Sequence, residues 1–337
     1  MARCRHVPSS NGPGYQSSAS AGVFRHLMGR GRSQRNMWGG RRLAVVMPAK
    51  DEVQHIGRAL GNLPPEVDLV VLVDDGSSDG TAKAAQATGH HAELVVLNSG
   101  GTGVGGAVAL GFEHLLERLD HNDLVAVMDG DAQMDGADLL PLCRHLKAAN
   151  VDVVKGDRLA HPEVNATMPL LRRWANRGLA VLTTLASGRR VSDAQCGFIV
   201  LRKEVLDRTK GDPVWPGYGY VNHRFIRWSR HRIPVGFHPV RPVYGDETSG
   251  IRPIRFLFGV GAMFVREHHG RAFSSLASGP GRLPLMFALV AYLGGWVAGL
   301  GAVFGPLPYG FLWFMPLAWM LAHAIDRSVQ TGGRARI

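Results

Sequence analysis

The stretch Glu93–Leu115, ELVVLNSGGTGVGGAVALGFEHL, decides how the chain is read. An apolar run ends at Leu97, and Gly101, Gly103 and Gly106 then spell G-x-G-x-x-G at the mouth of a helical stretch. Between a strand and a helix, that spacing is the dinucleotide-binding fingerprint. Its place in the chain argues otherwise. Short β-branched runs precede it at 43–47 (LAVVM) and 68–73 (DLVVLV), and others follow at 123–128 (DLVAVM) and 151–154 (VDVV). A dinucleotide fold carries its glycine loop after the first strand, whereas this loop follows the third.

Helical stretches at 52–62, 79–88 and 105–119 fill the gaps. The alternation predicts an α/β domain with a mainly parallel sheet covered on both faces, and ligands then bind beyond the carboxyl ends of the strands. What stands at those ends is acidic. The first strand runs into Met-Pro-Ala-Lys-Asp-Glu (47–52), the second into Val-Asp-Asp-Gly-Ser-Ser-Asp-Gly-Thr (73–81) and the fourth into Met-Asp-Gly-Asp-Ala-Gln (128–133). Clustered carboxylates repel a pyrophosphate unless a cation stands between. Asp129 and Asp131, two residues apart, point to the same side if extended. As hard oxygen donors they can share Mg²⁺ or Mn²⁺, which in turn binds a diphosphate. The order of motifs decides against a dehydrogenase.

The chain has 337 residues and a formal charge of +11 from 38 Lys and Arg against 27 Asp and Glu. Residues 1–42 carry eight arginines and no acid, and 251–337 carry eight arginines and two acids, which leaves 43–250 at a net −3. A nucleic-acid binder concentrates basic surface on its folded domain. Flanking arginines suit a membrane partner instead. Cys4, Cys143 and Cys196 have neither zinc nor disulfide spacing, as befits a reducing compartment.

From Leu283 to Ile325 no Asp, Glu, Lys or Arg occurs, and Gly305-Pro306-Leu307-Pro308 divides the run. As helices, Leu283–Phe304 and Leu307–Ile325 would rise roughly 33 and 28 Å, each enough for a bilayer. A buried hairpin in a soluble protein is the alternative; tryptophans and Tyr309 near the ends favour lipid. Arg271 and Arg282 precede the hairpin and Arg327, Arg334 and Arg336 follow it, so both ends are expected in the cytoplasm, with the catalytic domain on that face of a multi-pass membrane protein. Phe256–Val265, apolar and too short to span, reads as a helix lying in the interface. Residues 1–40, rich in Gly, Ser and Arg, read as a disordered basic segment without a signal peptide; a transit-type leader and a start at Met37 are alternatives. The expected organisation is 1–40 disordered, 41–250 catalytic, 251–282 interfacial, 283–326 transmembrane hairpin and 327–337 cytoplasmic tail.

VVMPAKDE, LVDDGSSDGT, NSGGTGVGGAVALGF, MDGDAQMDG, VKGDR, MPLLRRWANRGL and DAQCGFIVLRKEVL together span 45–206. On these motifs the chain resembles glycosyltransferase family 2, with the GT-A fold, and within it the enzymes that charge polyprenyl or dolichyl phosphate with a sugar, as dolichyl-phosphate mannosyltransferases do. The resemblance implies a UDP- or GDP-hexose donor, a polyprenyl phosphate acceptor at the membrane, Mg²⁺ or Mn²⁺, and no nucleic acid. Matching positions imply that Pro48, Lys50, Glu52, Val73 and Asp75 hold the nucleoside. They imply that Asp129 and Asp131 bind the metal with Gln133 beside it, and that Arg158 and Arg172 meet donor or acceptor phosphate. Asp193 and Gln195 fit a loop lining the sugar pocket, and Arg241 is a further candidate for the acceptor phosphate.

Two departures stand out. Asp51 replaces the family's usual Asn before Glu52, adding charge near the nucleotide. Arg224-Phe-Ile-Arg227-Trp228 replaces the Gln-x-x-Arg-Trp of processive synthases, which counts against a polymerising enzyme. No Asp or Glu occurs from Pro213 to Gly245, where relatives acting on hydroxyls place a base. His223 is the one candidate base in that gap, and a structural histidine is its simpler reading. The expectation is inverting transfer of a hexose to a lipid phosphate. Transfer to a lipid or sugar hydroxyl and a catalytically inactive membrane scaffold are the alternatives.

Overall fold

The computed structural model describes residues 38–244, 253–278 and 282–332. Most of the expected N-terminal segment, the stretch 245–252 and the last five residues lie outside them. In chain order the elements are β1 (Leu43–Ala49), α1 (Ile56–Gly61), β2 (Leu69–Asp74), α2 (Thr81–Ala87), β3 (Glu93–Asn98), α3 (Val104–Leu116), β4 (Leu124–Val127), α4 (Leu139–Ala148) and β5 (Val153–Asp157). Then come α5 (Val164–Thr167), α6 (Leu170–Ser187), β6 (Ile199–Arg202), α7 (Lys203–Arg208), α8 (Tyr220–Arg230) and β7 (Val235–Pro239), followed by α9 (Pro253–Ser278), α10 (Arg282–Phe304) and α11 (Phe314–Gly332).

The seven strands form one sheet in the order β3-β2-β1-β4-β6-β5-β7. It is mostly parallel, as expected, but mixed: β6 runs against both β4 and β5. Every residue of β1 is buried, because helices cover both faces. Leu43, Val45 and Met47 pack with α1 and α4 on one side. Ala44 and Val46 pack with α3 and α8 on the other. This period-two division is what continuous apolar strands dictate. The order reverses at β1, which pairs with β2 on one side and β4 on the other. The crevice beyond their carboxyl ends is the switch point where such sheets bind ligands.

The C-terminal elements differ from expectation in detail. Instead of ten residues from Phe256, α9 is a helix of 26, and its Val260, Met263 and Phe264 are buried against Ala186 of α6 and Ile226 of α8. Polar clamps add to this. Arg271 Nε donates to the Ala186 carbonyl at 2.8 Å, satisfying an orphan carbonyl at the end of α6. Buried Glu267 meets Arg230 at 3.1 Å and Arg266 at 3.2 Å. Further on, α10 and α11 pack together, with the Trp296 and Trp319 rings 5.0 Å apart. Within them Met286–Phe304 is long and apolar enough to cross a membrane. The second apolar segment, Tyr309–Ala322, opens on a 3₁₀ turn at Tyr309–Trp313 that leads into α11.

Candidate active site

The carboxyl ends of β1, β2 and β4 are stitched together by backbone bonds. Asp75 N–H donates to the Ala49 carbonyl (2.8 Å) and Gly130 N–H to the Pro48 carbonyl (3.0 Å). Pro48 and Val73 are register partners on the two strands. The residues expected around the nucleoside, Pro48, Lys50, Glu52, Val73 and Asp75, therefore share one edge. Lys50 is exposed, and Glu52 Oε2 sits 2.8 Å from His55 Nδ1.

The glycine loop belongs to this edge in an unexpected way. Gly103 N–H donates to both oxygens of buried Asp75, at 3.1 and 3.0 Å, and the Ser99 hydroxyl donates to Oδ1 at 2.6 Å. Gly105 N–H donates to the Pro216 carbonyl at 2.8 Å. Those amides serve the protein's own acceptors rather than a pyrophosphate. The glycines are needed for close approach: a Cβ on Gly105 would overlap the Trp215 carbonyl, and one on Gly103, at φ +85°, would meet the Pro216 carbonyl. The loop thus pins the stretch 215–220, WPGYGY, over the crevice. Gly105→Ala is expected to cost about 1–3 kcal/mol, the usual range for overpacking, read as a lower melting temperature.

Asp51 is a second departure. It sits at φ 54°, in the left-handed region that Asp tolerates better than most residues. Its Oδ1 accepts from Ser78 N–H at 2.8 Å, and its own N–H donates to Ser77 Oγ at 2.9 Å. This carboxylate ties the two loops together.

Beyond β4, Gln133 N–H donates to Asp131 Oδ1 at 2.9 Å across Ala132, which is itself left-handed at φ 58°. Asp129 is the more unusual of the acidic pair. Its Oδ1 is buried and has no hydrogen-bond partner among the described residues. Burial pushes its carboxyl up to about 8, with repulsion from Asp131 and Glu52 added and attraction from Arg158 opposing. An orphaned oxygen and a proton retained near neutrality are what a divalent cation would relieve, so the pair fits one. No group of three or more His, Cys, Asp or Glu is placed to hold a metal among the described residues.

Arg158 and Asp193 are brought together, but with each other. Arg158 Nε and Nη2 donate to Asp193 at 2.8 and 3.1 Å, and its N–H does so at 3.1 Å. Asn176 Nδ2 (2.8 Å) and the N–H groups of Gln195 and Cys196 (3.0 Å each) complete the set. Burial would raise the Asp193 carboxyl, yet Arg158 and these donors hold it down to about 2. Its side chain has no exposure, so it does not line an open sugar pocket as expected; it orients Arg158, whose side chain is 24% exposed. Gln195 turns to Asn222 (2.7 Å). Arg172, exposed, lies over the Tyr244 ring at 5.3 Å. Arg241, 55% exposed, is paired with Glu163 at 3.0 Å.

Several residues near the site escaped sequence reasoning. Lys155 is fully buried with Nζ 2.7 Å from the Cys196 carbonyl, and burial lowers its ammonium to about 8. Tyr218 is half exposed; burial, then repulsion from Asp129, Asp131, Glu52 and Asp75, raises its hydroxyl. Tyr220 is buried beside Asp129: its hydroxyl and Asp129 Oδ2 lie 3.2 and 3.3 Å from where a Gly197 Cβ would stand. The only signal was the density of aromatics and glycines in 215–220. His223 faces elsewhere, 1% exposed, with Nε2 3.6 Å from Glu267 of α9.

Comparison with known proteins agrees with the motifs. The family model described as Glycosyl transferase family 2 matches residues 44–209. A UDP-N-acetylglucosamine–dolichyl-phosphate N-acetylglucosaminyltransferase of Methanococcus voltae is 24% identical over 217 residues, 60% of this chain and 86% of its own length. An undecaprenyl-phosphate 4-deoxy-4-formamido-L-arabinose transferase of Sodalis glossinidius is 31% identical over 142 residues, 41% of this chain and 40% of its own. Among solved structures, glucosyl-3-phosphoglycerate synthase from Mycobacterium tuberculosis, in complex with Mg²⁺ and UDP, aligns with a TM-score of 0.49 at 20% identity, covering 69% of this chain and 80% of that one. With its motifs, mixed α/β sheet and acidic switch-point crevice, the chain carries a glycosyltransferase family 2 domain over residues 44–209 and is a glycosyltransferase.

Proposed function

We propose that the protein transfers a hexose from a nucleotide-diphosphate sugar to a polyprenyl phosphate at the cytosolic face of a membrane, inverting the anomeric configuration. The observation that carries this reading is the Asp129–Asp131 pair at the switch point: Asp129 Oδ1 is buried with no hydrogen-bond partner among the described residues, and Asp131 adds like charge that Arg158 opposes. Pro48, Lys50, Glu52, Val73, Asp75 and Gln133 hold a UDP or GDP moiety along the β1 and β2 ends. Asp129 and Asp131 hold Mg²⁺ or Mn²⁺. When bound, that ion supplies positive charge to the departing nucleoside diphosphate.

The acceptor follows from what the crevice lacks. A hydroxyl nucleophile needs a base to take its proton. No Asp or Glu lies between Pro213 and Tyr244, and His223 is buried against α9. A phosphate monoester, with a second pKa of about 6, is already largely a dianion at neutral pH. It needs cations to approach a diphosphate, and Arg158 and Arg172 serve, since guanidinium matches phosphate oxygens. The acceptor oxygen then displaces the nucleoside diphosphate directly. A membrane location is supported by α10 and by the arginines on both flanks of the α10–α11 hairpin, which would put both of its ends in the cytosol.

The test supplies labelled UDP- and GDP-sugars to membranes containing the protein and identifies the labelled lipid, with His223→Ala run alongside. Label in a phosphodiester-linked glycolipid, with His223→Ala within a few fold of the parent, is the expected result. Glu267 keeps Arg230 and Arg266 in that variant, so the fold is not left with an unpaired buried charge. A thousandfold loss of turnover in His223→Ala, about the size of general-base catalysis, with donor affinity intact would replace the phosphate acceptor by a hydroxyl.

A further inference from the structure

The chain between α7 and α8 crosses the crevice as a strap, Trp215-Pro216-Gly217-Tyr218-Gly219-Tyr220. Its first limb is fixed to the glycine loop. The Pro216 carbonyl accepts from Gly105 N–H at 2.8 Å, and Gly103, which leaves room for that carbonyl only because it lacks a Cβ, donates to Asp75. Its second limb is fixed beside the other acidic strand end. Tyr220 is 5% exposed, and its hydroxyl and Asp129 Oδ2 both crowd Gly197. Between the limbs, Tyr220 N–H donates to the Gly217 carbonyl at 2.9 Å, closing a four-residue turn with Tyr218 and Gly219 at its tip. The tip therefore stands between Asp75, after β2, and Asp129, after β4.

The two tip residues pack differently. Gly219 is wedged against α9, where a Cβ would come within 3.0 Å of both Trp215 Nε1 and Val260 Cγ2. Tyr218 is 51% exposed. The turn is thus held by α3 on one side and α9 on the other, and it presents a phenol at the crevice. Burial, then the carboxylates of Asp129, Asp131, Glu52 and Asp75, keep the proton on the Tyr218 hydroxyl, which leaves it a neutral hydrogen-bond donor.

A neutral donor at this place suits an anion that arrives with its own cation. On the function proposed, a nucleoside diphosphate and a divalent ion bind here, the nucleoside toward Asp75 and the diphosphate toward Asp129 and Asp131. A lysine or arginine at the tip would pair with those carboxylates before the donor arrived and would compete with the ion afterwards. A phenol adds no charge, yet its hydrogen bond to a phosphate oxygen is charge-assisted and roughly twice as strong as a neutral one.

We propose that Tyr218 is a donor-contacting residue, its hydroxyl donating to the diphosphate of the nucleotide sugar from the tip of a turn fixed at both limbs. This rests on the reading that the acidic edge binds a nucleotide-diphosphate sugar. Because α3 and α9 hold the limbs, the turn is in place before the donor arrives, and little ordering is lost on contact. The acceptor lipid also offers phosphate oxygens, so the test has an arm for each source.

The full chain in nanodiscs is titrated with UDP and with GDP, each with Mn²⁺, as the parent, Tyr218→Phe and Tyr218→Ala. Whichever diphosphate the parent binds should bind Tyr218→Phe about tenfold to a hundredfold more weakly, the range for a hydrogen bond to a charged group. The nucleotide-free melting temperature and the KM for polyprenyl phosphate should not move. If both variants bind the diphosphate as tightly as the parent, the contact is refuted and the nucleotide-sugar reading stands. If only Tyr218→Ala loses affinity, the ring and not the hydroxyl makes the contact, and the hydrogen bond is refuted. A raised KM for the lipid phosphate with donor affinity intact would assign the phenol to the acceptor and overturn the proposal. So would a drop in the melting temperature of Tyr218→Phe large enough to account for weaker binding, since the hydroxyl would then brace the strap. If the parent binds neither UDP nor GDP, the nucleotide-sugar reading fails and this inference with it.

Discussion

Asp131→Asn is expected to leave the fold intact and to lower transfer by about a thousandfold or more, equivalent to about 4 kcal/mol of transition-state stabilisation. The substitution keeps the side-chain oxygen that accepts the Gln133 N–H, so the turn over left-handed Ala132 survives. What it removes is half of the negative charge available to a cation. Asp129→Asn should be equally inactive for the same reason, yet its stability should move the other way. The Asp129 carboxyl is raised to about 8, against about 3.9 in an unfolded chain. The folded state therefore binds that proton more tightly. Its stability is complete below pH 4 and declines as pH rises from there through 8. Replacing the carboxyl with an amide removes this loss. Melting curves of the metal-free proteins at pH 5 and pH 8 should show the parent falling behind Asp129→Asn at the higher pH, and Mn²⁺ should close the gap in the parent alone. EDTA-resistant transfer by Asp131→Asn, or no Mn²⁺ binding by the parent with its donor nucleotide, would remove the metal from the mechanism. The pair would illustrate a general trade: a site that functions by crowding like charges is less stable than its inert variant.

Much of the fold was legible because its signal is local. The runs at 43–47, 68–73, 93–97, 123–128 and 151–154 became β1 to β5 with shifts of one to three residues at the ends. The two strands that escaped carry no comparable signal. Ile199–Arg202 is four residues long and is a strand by virtue of pairing antiparallel with β4 and β5. Val235–Pro239, VGFHP, includes a glycine, a histidine and a proline, and is held at the sheet edge by β5. At the site, the acidic strand ends were legible from their position alone. What the side chains did with one another was not. The loop whose spacing suggested a dinucleotide serves Asp75 and the Pro216 carbonyl, and those partners lie 28 and more than 100 residues away. Burial is the other missing quantity. His223 looks like a candidate base until 1% exposure and Glu267 account for it, and Lys155 looks like a surface lysine until its amine is found against the Cys196 carbonyl.

The buried Arg158–Asp193 pair gives the second large effect, and it separates orientation from catalysis. Asp193→Ala should destabilise the protein by about 3–5 kcal/mol, the range for removing one member of a buried ion pair. The expected reading is a melting temperature lower by about 10 °C. The loss arises because Arg158 keeps its charge, while six donated hydrogen bonds lose their acceptor. Arg158→Ala should cost less, since Asp193 would retain Asn176, the Gln195 and Cys196 amides and the nearby Lys155 ammonium. The Asp193 carboxyl is held at about 2, below its unfolded value of about 3.9. The pair's contribution is therefore fully present above pH 4 and lost only as pH falls toward 2. Between pH 5 and pH 8 the two single variants should keep a constant deficit, unlike the Asp129 pair, whose effect changes across that window. The double variant Arg158→Met/Asp193→Leu removes both charges and fills the space with apolar side chains, an exchange that is often neutral for stability. Its melting temperature should recover most of the loss while transfer stays down by a hundredfold or more, the cost of losing a cation aimed at developing phosphate charge. Recovery of transfer together with stability would show that the pair only braces the fold, and the phosphate role would then rest on Arg172 alone.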